Sequence, residues 1–177
     1  MAAREEGRRG DAACGMIAGV DVREEEIRGL LDRAAIEALI GDYAEAADRG
    51  RSADLAALFT PDGVLEILGE SFDAGLYGGR GAILARLERT RVEIPPGAAP
   101  TLLRHHIATV RVRPTGPGGA RADAYFLAVT ADGPDHWGRY SDRLVETADE
   151  GWRFAHRKVV HEGRAAGSWL ERMSADS

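Results

Sequence analysis

Cysteine is almost missing from this chain: Cys14 is the only one in 177 residues. No intrachain disulfide can form, and nothing points to an oxidising compartment. No apolar run approaches the roughly 18 residues that a membrane helix needs. The opening stretch MAAREEGRRGDAACGMIAGVDV has early charges but lacks the apolar core of a secretory signal. Clustered positive charge is absent too. Lys and Arg number 23 against 29 Asp and Glu, a net charge of −6, so a nucleic-acid partner, which needs a basic face, is not expected. No Gly-rich phosphate loop follows a strand, no Gly-x-Ser-x-Gly elbow occurs, and no Cys or His cluster has zinc-like spacing. These absences leave a cytoplasmic enzyme or binding protein as the default, with no membrane association and no metal expected.

What is present is enough chain for one domain with a real core. Residues 1–20 read as a tail rich in Gly, Ala and charge. From about Arg23 to Arg49 apolar residues recur at three- and four-residue steps (Ile27, Leu30, Leu31, Ile36, Leu39, Ile40, Tyr43), the pattern of an amphipathic helix whose stripe must lie against something. Asp21 reads as its N-cap and Gly50 as its left-handed stop. Ser52 reads as the N-cap of a short second helix. Pro61-Asp62-Gly63 has turn chemistry, and Val64–Leu68 follow as a strand. Arg80–Arg91 read as a third helix, ended by Pro95, Pro96 and Pro100.

After Pro100 the period changes to two. Leu102–Arg113, Ala120–Thr130, His136–Thr147 and Trp152–His161 read as four strands joined by hairpin-like turns. Helices followed by consecutive antiparallel strands indicate an α+β fold with helices on one face of a curved sheet. The expected domain runs over residues 21–162, with 163–177 as a C-terminal tail.

The order of these elements, with the phrases YAEAADRGRSADLAALFTPDGVLEI, LRHHIATVRV and GRYSDRLVETADEGWRF, resembles the SnoaL-like branch of the nuclear transport factor 2 superfamily. The resemblance covers about residues 23–162. It implies a cone-shaped antiparallel sheet wrapped around the long first helix, with a pocket at its open end, and pairing into a homodimer. The group includes polyketide cyclases, scytalone dehydratase, steroid isomerases, limonene epoxide hydrolases and non-catalytic subunits, so the fold alone does not settle function.

Followed residue by residue, the resemblance to scytalone dehydratase places Asp48, at the end of the first helix, and His105, near the start of the first long strand, as an acid–base pair. A neutral imidazole takes a proton from an activated carbon while a carboxylate orients or charges it. Tyr43, His106, Tyr125, Tyr140 and Asp142 are the expected pocket-shaping or substrate-binding residues. Tyr125 stands where the dehydratase has a second pocket histidine, and its strand Ser and Asn are not reproduced in GRYSDR.

Strand alternation conflicts with this at one point. Leu102, His106, Val110 and Val112 share one face and His105, Ile107 and Thr109 the other. The apolar pattern turns His106 inward and the resemblance turns His105 inward; a bulge that switches phase midway would reconcile them. Asp142 and Arg143 resemble the Asp–Arg pairing of limonene epoxide hydrolases, but adjacent strand residues point apart, and sheet or surface contacts are expected of them.

The resulting expectation is a cofactor-independent dehydratase, cyclase or isomerase acting on a small, largely apolar cyclic or polyketide-like metabolite of secondary metabolism. A non-catalytic ligand-binding or partner-subunit module is the alternative, and an epoxide hydrolase a further one.

Overall fold

The computed structural model describes residues 14–69, 71, 73–93 and 102–175. The chain divides into two units, Met1–Ala34 and Ala35–Ser177. In the first, helix α1 (Cys14–Asp48) is under way from Cys14. Asp21 therefore lies inside the helix rather than capping it, and the expected tail is helical in its last residues. Ile27, Leu30 and Leu31, read from the sequence as part of a buried stripe, are exposed in this chain. Residues 1–13 and the prolines expected to stop the third helix lie outside the described residues.

The second unit holds the rest of α1 and all other elements. These are α2 (Ser52–Ala57), β1 (Phe59–Leu68), β2 (Gly75–Gly78), α3 (Arg80–Glu93), β3 (Leu103–Gly116), β4 (Gly119–Thr130), β5 (Gly133–Thr147), β6 (Gly151–Arg164) and α4 (Trp169–Ala175). The strands form one six-stranded sheet in the order β2-β1-β6-β5-β4-β3. Pairing is antiparallel except between β1 and β6. Ile36, Leu39, Ile40 and Tyr43 of α1 share a core with Phe59, Leu65, Phe126, Tyr140, Leu144 and Phe154 of the sheet. No helix among the described residues is long and apolar enough to cross a membrane.

Helix α1 ends as the sequence predicts. Gly50 has φ +62°, its N–H donates to Ala47 O (3.0 Å), and the Arg51 N–H reaches back to Ala46 O (2.9 Å), the two bonds of a Schellman stop. Ser52 is the first residue of α2, and its side chain makes no cap; Arg51 occupies the cap position. Pro61-Asp62-Gly63 is a bulged part of β1 and not a turn, for the β1–β6 register shifts between Phe59 and Val64. Beyond residue 162 the chain stays ordered: β6 runs to Arg164, and α4 follows with Leu170 buried. Residues 163–175 thus belong to the fold.

Bulges decide which side chains face the core. In β3, Ala108 pairs with Tyr125 and Arg111 with Asp123, so one extra residue is taken up at Thr109–Val110. Thr109 takes φ +53° there. The inward phase passes from His105 and Ile107 before the bulge to Val110 and Val112 after it. In β5, Ala128 pairs with His136 and Val129 with Pro134, leaving Asp135 as the extra residue. Asp135 and His136 are both buried as a result. In β6, Ala155 and Glu162 are extra. The first moves the buried set from Trp152 and Phe154 to Arg157 and Val159, and the second lies just beyond His161.

Candidate functional site

A cavity of about 330 Å³ lies between the end of α1, the inward faces of β3–β6 and the start of α4. Most of its lining is apolar, including Leu55, Leu65, Ile67, Phe126, Val159 and Leu170. Small-molecule sites combine such walls with a few convergent polar groups. Here those groups include Asp48, Asp73, His105, His136, His161, Tyr43 and Tyr140, with the hydroxyls of Ser52, Ser71 and Thr90.

Asp48 and His105 meet directly. The His105 Nδ1 lies 2.6 Å from Asp48 Oδ1, and the His105 backbone N–H donates to both carboxylate oxygens at 3.0 and 3.2 Å. Their side chains are 13% and 10% exposed, His105 first. A carboxylate in the last turn of a helix opposes the helix dipole, so Asp48 is not placed for the benefit of α1. A carboxylate accepts hydrogen bonds, so in the neutral form of His105 the ring proton faces Asp48 from Nδ1 and leaves the Nε2 lone pair free.

Two more histidines, unforeseen in the sequence, complete the polar wall. His105, Ala128 and His136 stand in register across β3, β4 and β5. The Ala128 methyl leaves room above it, and the His105 and His136 rings come within 5.9 Å, edge to face. His136 Nδ1 lies 2.8 Å from Asp135 Oδ2. The same carboxylate accepts from the N–H groups of Trp169 (2.6 Å) and Leu170 (3.3 Å), the first residues of α4. His161 pairs across the sheet with Gly138 and stacks flat on His136, with centroids 5.2 Å apart and planes 7° from parallel. A Cβ at Gly138 would fall 1.9 Å from Val160 O and 3.0 Å from the Phe126 ring. Burial lowers the His136 pKa, against the pull of Asp135. Burial, then the neighbouring His136, lowers His161 to about 4. Both rings are neutral at pH 7.

The tyrosines stand over a buried cation. The Arg157 guanidinium is fully buried, with its carbon 4.1 Å from the ring centroids of Tyr43 and Tyr140 and 4.2 Å from that of Phe154. Asp142 holds it through two hydrogen bonds of 3.0 and 2.9 Å. Such contacts with ring faces offset part of the cost of burying a charge. Burial pushes the Tyr43 hydroxyl up to about 12, and Arg157 moderates the rise. Burial raises Tyr140 further. Both phenols therefore remain O–H donors at neutral pH.

Of the residues expected from the sequence, Asp48, His105, Tyr43 and Tyr140 converge on the cavity. His106 does not: it precedes the β3 bulge on the outward phase and is exposed. Tyr125 is 55% exposed on the outer face of β4, because it pairs with Ala108 and Arg139 on that face. Asp142 is buried but does not line the cavity, and both its oxygens are taken by Arg157, so it is not free to activate water on an epoxide. Arg143, its sequence neighbour, is exposed. A signal for His136 was present, since it shares the even phase of β5 with Tyr140. None was available for His161, which comes inward only after the Ala155 bulge. Among the described residues no group of three or more His, Cys, Asp or Glu is arranged to hold a metal ion.

Comparison with known proteins agrees with this architecture. No curated protein sequence matches the chain significantly. A solved structure of a putative scytalone dehydratase from Novosphingobium aromaticivorans superposes with a TM-score of 0.62 at 24% identity, covering 77% of this chain and 88% of that one. An NTF2-like protein with a cystatin-like fold, also from Novosphingobium aromaticivorans, gives 0.64 at 22% identity over 93% and 98% of the two chains. ActVI-ORFA from Streptomyces coelicolor gives 0.60 at 25% identity over 73% and 96%. The SnoaL-like domain profile matches residues 28–158. By that match, and by the α+β fold that carries it, the chain belongs to the SnoaL-like domain family.

Proposed function

We propose that the protein is a cofactor-independent acid–base enzyme, a lyase or isomerase of the dehydratase or cyclase type, acting on a small, largely apolar cyclic or polyketide-like metabolite. The observation that carries the reading is the Asp48–His105 contact of 2.6 Å at the wall of an apolar cavity. In the proposed reaction the His105 Nε2 removes a proton from carbon next to a substrate carbonyl. The Asp48 carboxylate stabilises the imidazolium that forms. Electrons move onto the carbonyl oxygen, where the Tyr43 and Tyr140 hydroxyls are suited to donate to the developing enolate. The imidazolium then returns the proton. Delivered to a departing hydroxyl, it completes a dehydration with water as the second product; delivered to another carbon, it completes an isomerisation. The apolar walls strengthen each of these interactions by excluding water.

The test is turnover of a panel of polyketide, terpene and steroid-like compounds by wild type and by an Asp48→Asn/His105→Ala variant. Binding of each compound is followed in parallel by thermal shift. General acid–base catalysis contributes about 10²–10⁴-fold, so the double variant should lose at least about 10²-fold in kcat while still binding. Unchanged turnover in the double variant would rule the mechanism out. Binding to both proteins with no conversion would favour a ligand-binding module instead. Assembly as a homodimer belongs to the same proposal, and a monomer mass by light scattering would remove it.

A further inference from the structure

We propose that Asp135–His136, with His161 stacked behind it, is a second hydrogen-accepting unit beside Asp48–His105 on the same cavity wall, and that it selects ring compounds carrying two hydroxyl or enol groups, one within reach of each imidazole. The inference rests on the acid–base reading of His105 and names the substrate class that would suit it.

The arrangement at His136 repeats that at His105. Each imidazole has a carboxylate behind Nδ1, at 2.6 Å in one case and 2.8 Å in the other. Each therefore carries its proton on Nδ1 and presents a bare Nε2, which has no protein partner among the described residues. Both residues line the same cavity, with rings 5.9 Å apart. Two oxygens on one ring skeleton can therefore approach both imidazoles.

Asp135 is committed as an acceptor twice over. It takes two backbone N–H groups of α4, which fix its orientation. Its remaining capacity can only accept from His136, so the tautomer of that ring is set by the fold. The flat stack with His161 and the edge contact with Phe126 (5.9 Å) prevent the ring from turning. Neutral at pH 7, His136 cannot serve as the acid; it can receive a hydroxyl hydrogen and hold that end of the substrate while His105 exchanges protons at the other.

The test uses the full chain labelled with ¹⁵N-histidine. The probes are 1,3-dihydroxynaphthalene, its monomethyl ether and its dimethyl ether. In free wild type, the His136 resonances, identified by their loss in His136→Gln, should report a proton on Nδ1 and none on Nε2. The diphenol should bind about three- to tenfold tighter than the monoether, the value of one hydrogen bond. It should also shift the His136 Nε2 signal. His136→Phe, which keeps an aromatic ring in the stack, should bring that ratio close to one. Asp135→Asn turns a donor toward His136 Nδ1 and moves the ring proton to Nε2, which either oxygen can accept, so the preference for the diphenol should fall close to one.

A proton on Nε2 in wild type overturns the inference, and this reading needs no variant. So does a diphenol-to-ether ratio that survives His136→Phe, or failure of all three probes to bind. None of these results bears on the turnover comparison for Asp48 and His105, so the two readings fail separately.

Discussion

At the scale of single residues, the pair that is hardest to infer from sequence carries the largest energetic stake. Arg157 and Asp142 are fully buried and bonded to each other twice. Removing one partner strands the other charge in the core, at a cost of about 3–5 kcal/mol. Asp142→Ala should therefore lower the urea midpoint sharply, whereas Asp142→Leu combined with Arg157→Met should recover much of the loss. Equal destabilisation by the single and double variants would contradict this account. Asp48 and His105 were legible because their positions in a helix end and a strand start match a known arrangement. Asp142 was not, because its partner Arg157 lies on a face that the plain alternation of Trp152 and Phe154 turns outward.

At the scale of elements, long helices and strands follow from periodicity, and their local irregularities do not. The four strands after Pro100 stand where the period-two pattern puts them, within a few residues. The bulge at Thr109 shows in the sequence only as the phase conflict between His105 and His106, and those at Asp135, Ala155 and Glu162 leave no comparable mark, since each is one residue inserted into an otherwise regular ladder. They nevertheless decide which histidines reach the cavity, because a shift of one residue sends each side chain to the opposite face. Thr109 holds a left-handed conformation that is unfavourable for a β-branched residue. Thr109→Gly should relieve it and raise the unfolding free energy by about 0.5–1 kcal/mol, after the entropic cost of glycine. Gly138→Ala should do the opposite, because its Cβ would press into Val160 O. Denaturant melts of the two variants would check both signs.

At the scale of the whole molecule, the buried histidines make global stability depend on pH in one direction. His136 and His161 bind protons less readily in the folded protein than in the unfolded chain, whose histidines titrate near 6.5. Between that pH and about 4, the unfolded state holds more protons. Stability is then complete above about pH 6.5 and falls as the pH drops through that window. Burial is the main cause for His161, with His136 and His105 adding to it and Asp73 opposing. His161→Phe should reduce the difference in Tm between pH 7.5 and 4.5. An unchanged difference would mean that acid sensitivity originates elsewhere.

Helix α4 joins the cavity wall through Trp169 and Leu170, has its first two N–H groups held by the Asp135 carboxylate of β5, and begins after the stretch that the SnoaL-like profile describes. His161 also lies past that stretch. Part of the cavity wall thus lies outside the stretch by which the family is recognised. A terminal segment can change length or composition without disturbing the register of any strand. On the proposed function, relatives with the same dyad and a different chain end would accept different molecules, and substrate range would drift at the C-terminus while the chemistry stays put.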